Sequence, residues 1–264
     1  MYFVTTFCFG NKYGHILSKW SQRIKDRCKN GQVFVFDECN INLKYGFGYA
    51  WWDVARMHNN IHIISSTKMP VNHIDMDLIV EKDVESLVNL KYDLIFSREI
   101  GGNQAFPKEC SSKLGFGICS GFYIMKPSAL EFITKIFDLM SNYTYNSYSD
   151  QVTIMNYIVN NKHVVYDEKI VLDGIEYTNK IVEVDCIKIC VLDFNIIVRD
   201  PILNINQFGN HINIDNVGGT QQFLRYFDED LETLPLTCRC GKTHLGDNTV
   251  CTHIALREKR GVAS

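Results

Sequence analysis

Residues 70–77 read Pro70-Val71-Asn72-His73-Ile74-Asp75-Met76-Asp77, a short apolar run that ends in two carboxylates two positions apart. The apolar residues at 71 and 74, bounded by proline and by aspartate, predict a strand over residues 71–74. A strand that ends in Asp75 and Asp77 delivers two oxygen ligands to one place, and such a pair can share a divalent cation. This stretch therefore predicts a cation site at the end of a strand, where a diphosphate could be held.

The same triplet pattern occurs again, as Asp228-Glu229-Asp230. A triplet this short arises easily by chance, and taken alone it describes a solvated turn more often than a metal site. The second copy follows a helix-like segment, residues 220–227, whereas the first follows a strand. Ligands of open α/β sheets bind beyond the carboxyl ends of the strands, so position favours Asp75 and Asp77.

The sequence around this stretch predicts alternating strands and helices. Residues 1–9 form an apolar first strand, and residues 14–28 place Trp20 and Ile24 on one helical stripe. A second strand over residues 32–36 and a second helical stripe over residues 51–58 follow. Alternation of this kind predicts an α/β fold with a mainly parallel central sheet covered by helices on both faces, a three-layer α/β/α sandwich.

Two further segments carry polar residues where such a fold would use them. Gly121 interrupts the apolar strand 118–125, and a glycine inside a strand often marks a bulge or a close approach of a ligand. Ser149 is a candidate N-cap of a helix that has Asp150 and Gln151 in its first turn, where a carboxylate is favourable simply because of the helix dipole. Between residues 164 and 198 the pattern becomes rich in strands.

The composition restricts the class of protein. The chain has 264 residues, 46% of them hydrophobic, and a formal net charge of −3 with no long basic run, so a nucleic-acid partner is not expected. The N-terminus lacks a basic signal-peptide region, and no apolar segment is long enough to span a bilayer. Ten cysteines, several inside apolar runs, indicate a reducing compartment, and we expect a cytoplasmic protein.

The sequence after residue 227 has a different character. We predict one large domain over residues 1–227 and a C-terminal tail segment over residues 228–264, which packs on that domain. Thiol and imidazole groups suited to zinc occur in the tail, at Cys238, Cys240, His244, Cys251 and His253. Their spacing is not that of paired Cys-x-x-Cys units, so reduced thiols without structural zinc are the alternative.

Taken in order, the motifs resemble those of the nucleotide-diphospho-sugar transferases, which are glycosyltransferases of the GT-A fold. The resemblance covers residues 1–227 and is carried by the β-α-β start and by four short motifs, Asp75-Met76-Asp77, Cys119-Ser120-Gly121-Phe122, Ser149-Asp150-Gln151 and His211-Ile212-Asn213. It implies that Asp75, Asp77 and His211 hold Mn²⁺ or Mg²⁺ against the phosphates of the donor. It also implies that four residues contact the nucleotide or its phosphates, namely Thr5, Thr6, Tyr13 and Arg56.

The resemblance implies a donor-sugar site and a catalytic segment as well. The segment Ser120-Gly121-Phe122 would line the sugar, and Asp150 with Gln151 would lie beside the reacting carbon. In an inverting enzyme Asp150 would be the general base, and in a retaining enzyme it would orient sugar hydroxyls. The chain departs from several relatives because a closely spaced glycine and lysine do not follow His211; Gly218 and Gly219 come later, without the lysine.

These observations predict a metal-dependent hexosyl- or pentosyltransferase that moves a sugar from a nucleoside-diphosphate-sugar to a hydroxyl of a glycan or glycoprotein. A viral or bacterial-type setting is expected for such an enzyme without a membrane anchor. One alternative is a sugar-phosphate nucleotidyltransferase, although residues 9–14 only faintly match its glycine-rich basic loop. The other is a non-catalytic binding module. The donor base, the sugar, the acceptor and the oligomeric state stay open.

Overall fold

Strand β1 (Tyr2–Phe7) lies inside the main sheet and is buried over most of its length, as its apolar sequence predicts. Helix α1 (Gly14–Arg27) leads to strand β2 (Gly31–Phe36), which pairs with β1 in parallel. Helix α2 (Trp51–Thr67) then leads to strand β3 (Val71–Ile74), which pairs in parallel with the other side of β1. The predicted β-α-β start and the predicted strand before Asp75 are both confirmed.

The computed structural model describes residues 1–8, 14–37, 51–99, 101–140, 149–198, 208–211, 236–237 and 243–244. After β3 come, in chain order, β4 (Leu78–Val80), α3 (Glu85–Val88), β5 (Leu94–Glu99), α4 (Lys108–Leu114), β6 (Gly117–Met125), α5 (Leu130–Met140) and α6 (Ser149–Asn160). The described elements end with β7 (His163–Leu172), β8 (Ile175–Val184), β9 (Ile187–Val191), β10 (Ile197–Val198), β11 (Gly209–His211), β12 (Leu236–Thr237) and β13 (Thr243–His244). The predicted boundary at residues 227 and 228 and the predicted helix 220–227 lie outside these ranges.

The main sheet has eight strands in the order β2-β1-β3-β6-β5-β9-β8-β7. Only the pairs β1–β2, β1–β3 and β5–β9 are parallel, whereas the other four pairs are antiparallel. The prediction of a mainly parallel sheet was therefore wrong, and the sheet is mixed. A smaller sheet joins β10, β11 and β4, and β12 pairs with β13.

Two features of the chain account for the antiparallel pairs. Strand β6 inserts between β3 and β5 and runs against both of them. Strands β7, β8 and β9 are joined by two-residue turns, Asp173-Gly174 and Asp185-Cys186, in which every residue has a positive φ. Turns with two positive φ angles match the twist of antiparallel hairpins, so this part of the chain folds back on itself without a crossover helix.

The core consists of two hydrophobic clusters on opposite faces of the main sheet. Neighbouring residues of one strand point to opposite faces, so on β5 Ile95 belongs to the first cluster and Leu94 to the second. Helix α1 contributes Trp20 to the first cluster, whereas α2, α4, α5 and α6 pack on the second. The helices and the sheet thus form three layers, as predicted. Within the described residues, no helix is both long and apolar enough to cross a membrane.

Candidate active site

Asp75, Met76 and Asp77 form the tight turn between β3 and β4. The Leu78 N–H donates to the Asp75 carbonyl at 3.0 Å, which closes the turn. Met76 is 4% exposed and packs in the first hydrophobic cluster, while the Asp75 side chain is 33% exposed. The buried methionine therefore anchors the turn and leaves the Asp75 carboxylate accessible to a ligand.

A bulge in β6 places a second polar segment beside this turn. Phe96 of β5 pairs with Tyr123, but the next residue, Ser97, pairs with Cys119, so residues 120–122 are skipped in the pairing of β5 with β6. The Gly121 carbonyl instead accepts a hydrogen bond from the Asp75 N–H at 2.8 Å. The bulge that Gly121 predicted is therefore present, and it ties the loop of the Asp-x-Asp motif to the serine-glycine segment.

The guanidinium of Arg56, on α2, lies at the centre of the site. Its Nη1 donates to Asp75 Oδ1 at 3.2 Å, and its Nη2 donates to Ser120 Oγ at 3.1 Å and to Asp53 Oδ1 at 3.0 Å. Nη2 also donates to Asp150 Oδ2 on α6. One buried side chain thus joins residues from α2, the β3–β4 turn, β6 and α6.

The electrostatics of this cluster keep Arg56 charged. Burial alone would lower the pKa of Arg56, but the carboxylates of Asp150, Asp53 and Asp75 outweigh that effect and hold it well above its usual value. The guanidinium fork suits this task, because it presents several N–H donors in a fixed plane. Arg56 consequently holds three carboxylates in one place without the conformational freedom of a lysine.

The buried side chain of His73 contacts the Asp75 carboxylate. Its Nε2 lies 2.9 Å from Asp75 Oδ1, and its Nδ1 lies 3.3 Å from Thr5 Oγ1. Burial lowers the pKa of His73, and an ionised carboxylate only accepts hydrogen bonds, so we assign the ring proton to Nε2. The Thr5 hydroxyl then donates to Nδ1, and the His73 ring stacks on Tyr123 with 4.8 Å between centroids. Contacts with Asp75, Thr5 and Tyr123 thus hold the imidazole ring in one orientation.

Asp150 and Gln151 begin α6 close to this cluster. Asp150 Oδ1 accepts from Ser120 Oγ at 3.2 Å and from the Gln151 N–H at 2.7 Å, and the Asp150 side chain is 1% exposed. The Gln151 side chain donates to the Phe106 carbonyl at 3.2 Å. Both oxygens of Asp150 are thus occupied by donors from the protein itself.

The other predicted site residues divide into two groups. Thr5, Thr6 and Phe122 are described and fully buried, and Thr6 Oγ1 has no hydrogen-bond partner among the described residues. Tyr13 lies outside the described residues, and only the backbone of His211 is described. That backbone pairs with Leu78 in the small sheet, one residue after Asp77.

The predicted metal set is not complete in the part of the chain that the structure describes. Within that part, no three His, Cys, Asp or Glu side chains are grouped so that they could hold a metal ion. The His211 side chain, the predicted third ligand, is outside the description. The metal assignment of Asp75, Asp77 and His211 therefore stays a prediction.

Two residues of the cluster were missing from the sequence prediction. His73 precedes Asp75 by two positions, and residues two apart in a strand share a face, so the strand period could have indicated it. Asp53 precedes Arg56 by three positions on a helix, a spacing at which side chains meet. Both signals are local, and neither distinguishes a site residue from an ordinary polar residue without the tertiary contacts.

Comparison with solved structures gives similar chains that are glycosyltransferases. One is a glycosyltransferase involved in the glycosylation of the major capsid of PBCV-1, with 12% identity, 85% of this chain and 98% of that chain covered, and a TM-score of 0.49. A second is mouse xyloside xylosyltransferase 1, with 8% identity, coverages of 81% and 98%, and a TM-score of 0.48. A third is GlyE of Streptococcus pneumoniae TIGR4, with 14% identity, coverages of 89% and 53%, and a TM-score of 0.44.

No protein-family model matches the chain, and no curated protein matches it either.

Proposed function

We propose that this chain is a metal-dependent glycosyltransferase, which transfers a sugar from a nucleoside-diphosphate-sugar to a hydroxyl of a glycan or glycoprotein. The observation that supports this proposal is the meeting of three distant motifs at one guanidinium. Asp75 of the Asp-x-Asp motif, Ser120 of the serine-glycine motif and Asp150 of the Ser-Asp-Gln motif all contact Arg56. Motifs that resemble those of one enzyme family by their order also lie together in space.

The residues of the turn fit a divalent cation by their chemistry. Carboxylate oxygens are the donors that Mg²⁺ and Mn²⁺ prefer, and Asp75 keeps one third of its side-chain surface exposed. His73 and Arg56 both contact Oδ1 of Asp75 and hold the carboxylate in place, and this carboxylate is the group that we assign to the cation. When bound, the cation would stabilise the negative charge that develops on the departing diphosphate.

The protein groups would position the donor and keep the reacting centre rigid. Transfer breaks the bond between the anomeric carbon and the diphosphate oxygen and forms a bond from that carbon to the acceptor oxygen. The acceptor hydroxyl releases its proton to solvent, so the products are the glycosylated acceptor, the nucleoside diphosphate and one proton. Asp150 is buried, and its oxygens already accept from Arg56, Ser120 and the Gln151 backbone. A general base needs an oxygen within reach of the acceptor proton, so these contacts favour the orienting role of Asp150 over the base role.

The first experiment measures cation binding separately from catalysis. Mn²⁺ binding to the full chain is followed by electron paramagnetic resonance, for the parent and for Asp75→Asn and Asp77→Asn. We expect each variant to bind Mn²⁺ at least about tenfold more weakly, because a carboxylate ligand is replaced by a neutral amide. Asp228→Asn in the second Asp-x-Asp triplet is the matched control, and its Mn²⁺ affinity should equal that of the parent.

The second experiment tests the reaction. A panel of nucleoside-diphosphate-hexoses and -pentoses is incubated with the chain and Mn²⁺, and release of nucleoside diphosphate is measured with and without glycan acceptors. We expect release with at least one donor and at least about a hundredfold less release with Asp75→Asn, since the metal stabilises the leaving group. Release of pyrophosphate from sugar phosphate and nucleoside triphosphate would indicate the nucleotidyltransferase alternative. Mn²⁺ and donor binding without turnover of any donor would indicate a binding module.

A further inference from the structure

Strand β7 forms one edge of the main sheet, and none of the described residues pairs with its outer side. It is ten residues long, and long open edges are templates for pairing with another chain. The β7–β8 hairpin also exposes large apolar side chains, with Val164 55%, Val171 67% and Ile175 45% exposed. Soluble proteins usually protect such an edge, so its exposure indicates a partner.

The turn of the hairpin determines which backbone groups face outward. Leu172 and Ile175 close the two-residue turn, and the closing pair of such a turn is hydrogen-bonded. Along an antiparallel strand, residues alternate between groups that face the partner strand and groups that face away from it. The N–H and C=O groups of residues 165, 167, 169 and 171 therefore point to the open side of β7.

We propose that β7 pairs antiparallel with β7 of a second copy of this chain, around a two-fold axis at Glu168. In this register Asp167 lies opposite Lys169 of the other copy, and the pair occurs twice because of the symmetry. The two main sheets then form one continuous sheet across the dimer. The outward backbone groups of residues 165, 167, 169 and 171 all gain hydrogen-bond partners.

The same register covers the exposed apolar side chains. Val171 lies opposite Val165, and Val164 lies opposite Leu172, whose neighbour on β8 is Ile175. Cross-strand pairs of β-branched and other apolar residues stabilise antiparallel sheets. The two exposed valines of β7, Val164 and Val171, thus both gain apolar cross-strand neighbours from a copy of the same strand.

Neighbouring registers place like charges in direct opposition or join non-equivalent faces of the two sheets. An axis at Asp167 puts that carboxylate opposite itself, and an axis at Lys169 does the same with two ammonium groups, which is unfavourable in direct opposition. An axis between two residues pairs odd-numbered with even-numbered positions, so the face of one sheet that carries the first hydrophobic cluster would continue into the face of the other sheet that carries the second. At the proposed axis Glu168 meets its own copy, with Lys91 paired to it in each chain. Asp167 and Lys169 have corresponding partners on β8, Lys180 and Glu176. The choice of axis therefore depends on the two Asp167–Lys169 pairs between the copies, which only the axis at Glu168 provides.

Charge exchange at the edge tests the partner and the register together. Sedimentation equilibrium of the full chain from about 1 to 100 µM should show a dimer, and Asp167→Lys should weaken dimerisation at least about tenfold, because two attractive pairs become repulsive. Lys169→Asp should do the same. The double variant, which exchanges both charges, should recover most of the affinity. A monomeric parent chain, or a double variant weaker than both single variants, would overturn the proposal.

A cross-link at the axis tests the geometry independently of affinity. Directly opposed residues of a non-hydrogen-bonded pair have Cα atoms about 4.5 Å apart, which a disulfide can bridge. Glu168→Cys should therefore give a covalent dimer on mild oxidation. Glu176→Cys on β8 is the matched control, since three strand spacings of about 4.8 Å separate the two copies of β8. The parent chain gives the background from its own thiols. Equal cross-linking of both variants would contradict the two-fold axis at Glu168.

Discussion

At the scale of single residues, Arg56 connects the described site, because it donates hydrogen bonds to four of its side chains. It donates to three carboxylates and to the Ser120 hydroxyl, with only 9% of its side chain exposed. A buried ion cluster of this kind contributes little net stability, because desolvation opposes the attraction. Removal of one partner, however, leaves the others buried without compensation.

We therefore predict that Arg56→Met destabilises the protein by about 3–5 kcal/mol, measured by urea unfolding at pH 7. The loss arises from the carboxylates of Asp53 and Asp150, which stay buried in the variant. Lys180→Met is the control, because Lys180 pairs with Asp167 on the exposed hairpin and such pairs contribute at most about 1 kcal/mol. Equal losses in the two variants would contradict the central position of Arg56.

A second prediction at this scale concerns the cysteines. Burial, with smaller contributions from neighbouring groups, raises the pKa of Cys28 to about 11, whereas Cys186 lies exposed in the β8–β9 turn. Since the thiolate is the reactive form, only about one Cys28 thiol in a thousand is ionised at pH 8. We expect iodoacetamide at pH 8 to label Cys186 and to leave Cys28 unlabelled until urea is added. Peptide mass spectrometry measures both, and rapid native labelling of Cys28 would refute the burial argument.

At the scale of secondary structure elements, the β7–β8 hairpin depends on its turn. Gly174 has a φ of +79°, and a Cβ built at this position meets no atom within 4 Å. A substitution there is consequently opposed by backbone conformation and not by packing. L-residues pay roughly 1–2 kcal/mol in the left-handed region, and asparagine tolerates it better than other residues.

We expect Gly174→Ala to lower the free energy of unfolding by about 1 kcal/mol and Gly174→Asn to lower it by less than half as much. Thermal unfolding of the two variants and the parent measures the difference. Gly117→Ala provides the contrast, because its Cβ would lie 2.6 Å from Ala105 Cβ and the loss there comes from overpacking. A larger loss for Gly174→Asn than for Gly174→Ala would show that the turn is not in the left-handed conformation.

At the scale of the whole molecule, one sheet separates two hydrophobic clusters. Leu94 and Ile95 are adjacent on β5, both fully buried, and they point into opposite clusters. Each strand of the sheet contributes alternate side chains to the two clusters, so both clusters depend on the same backbone. Because the two layers share one sheet, we expect them to unfold together in one cooperative transition.

The corresponding experiment compares Leu94→Ala with Ile95→Ala. Each substitution removes buried methyl groups and should cost about 2–5 kcal/mol. In both variants, urea transitions followed by far-ultraviolet circular dichroism and by tryptophan fluorescence should coincide at a lower midpoint. Separate transitions for the two signals in either variant would indicate that the layers unfold independently.

Several local elements, and candidate site residues that follow them, were predictable from the amino-acid sequence. Periods of two and of 3.6 residues gave β1, α1, β2, α2 and β3, because those periods depend only on which face of an element is buried. The glycine at 121 predicted the bulge in β6, the order of the motifs indicated Asp75, Ser120 and Asp150, and the family resemblance added Arg56.

The way in which these elements combine was not predictable from local patterns and is seen in the folded chain. Strand pairing joins residues far apart in the chain, so the mixed sheet, with β6 running against β3 and β5, could not be read from local periods. The same holds for the contacts of Arg56, which depend on where three other elements end. It holds also for the edge position of β7, beside which no further strand lies among the described residues.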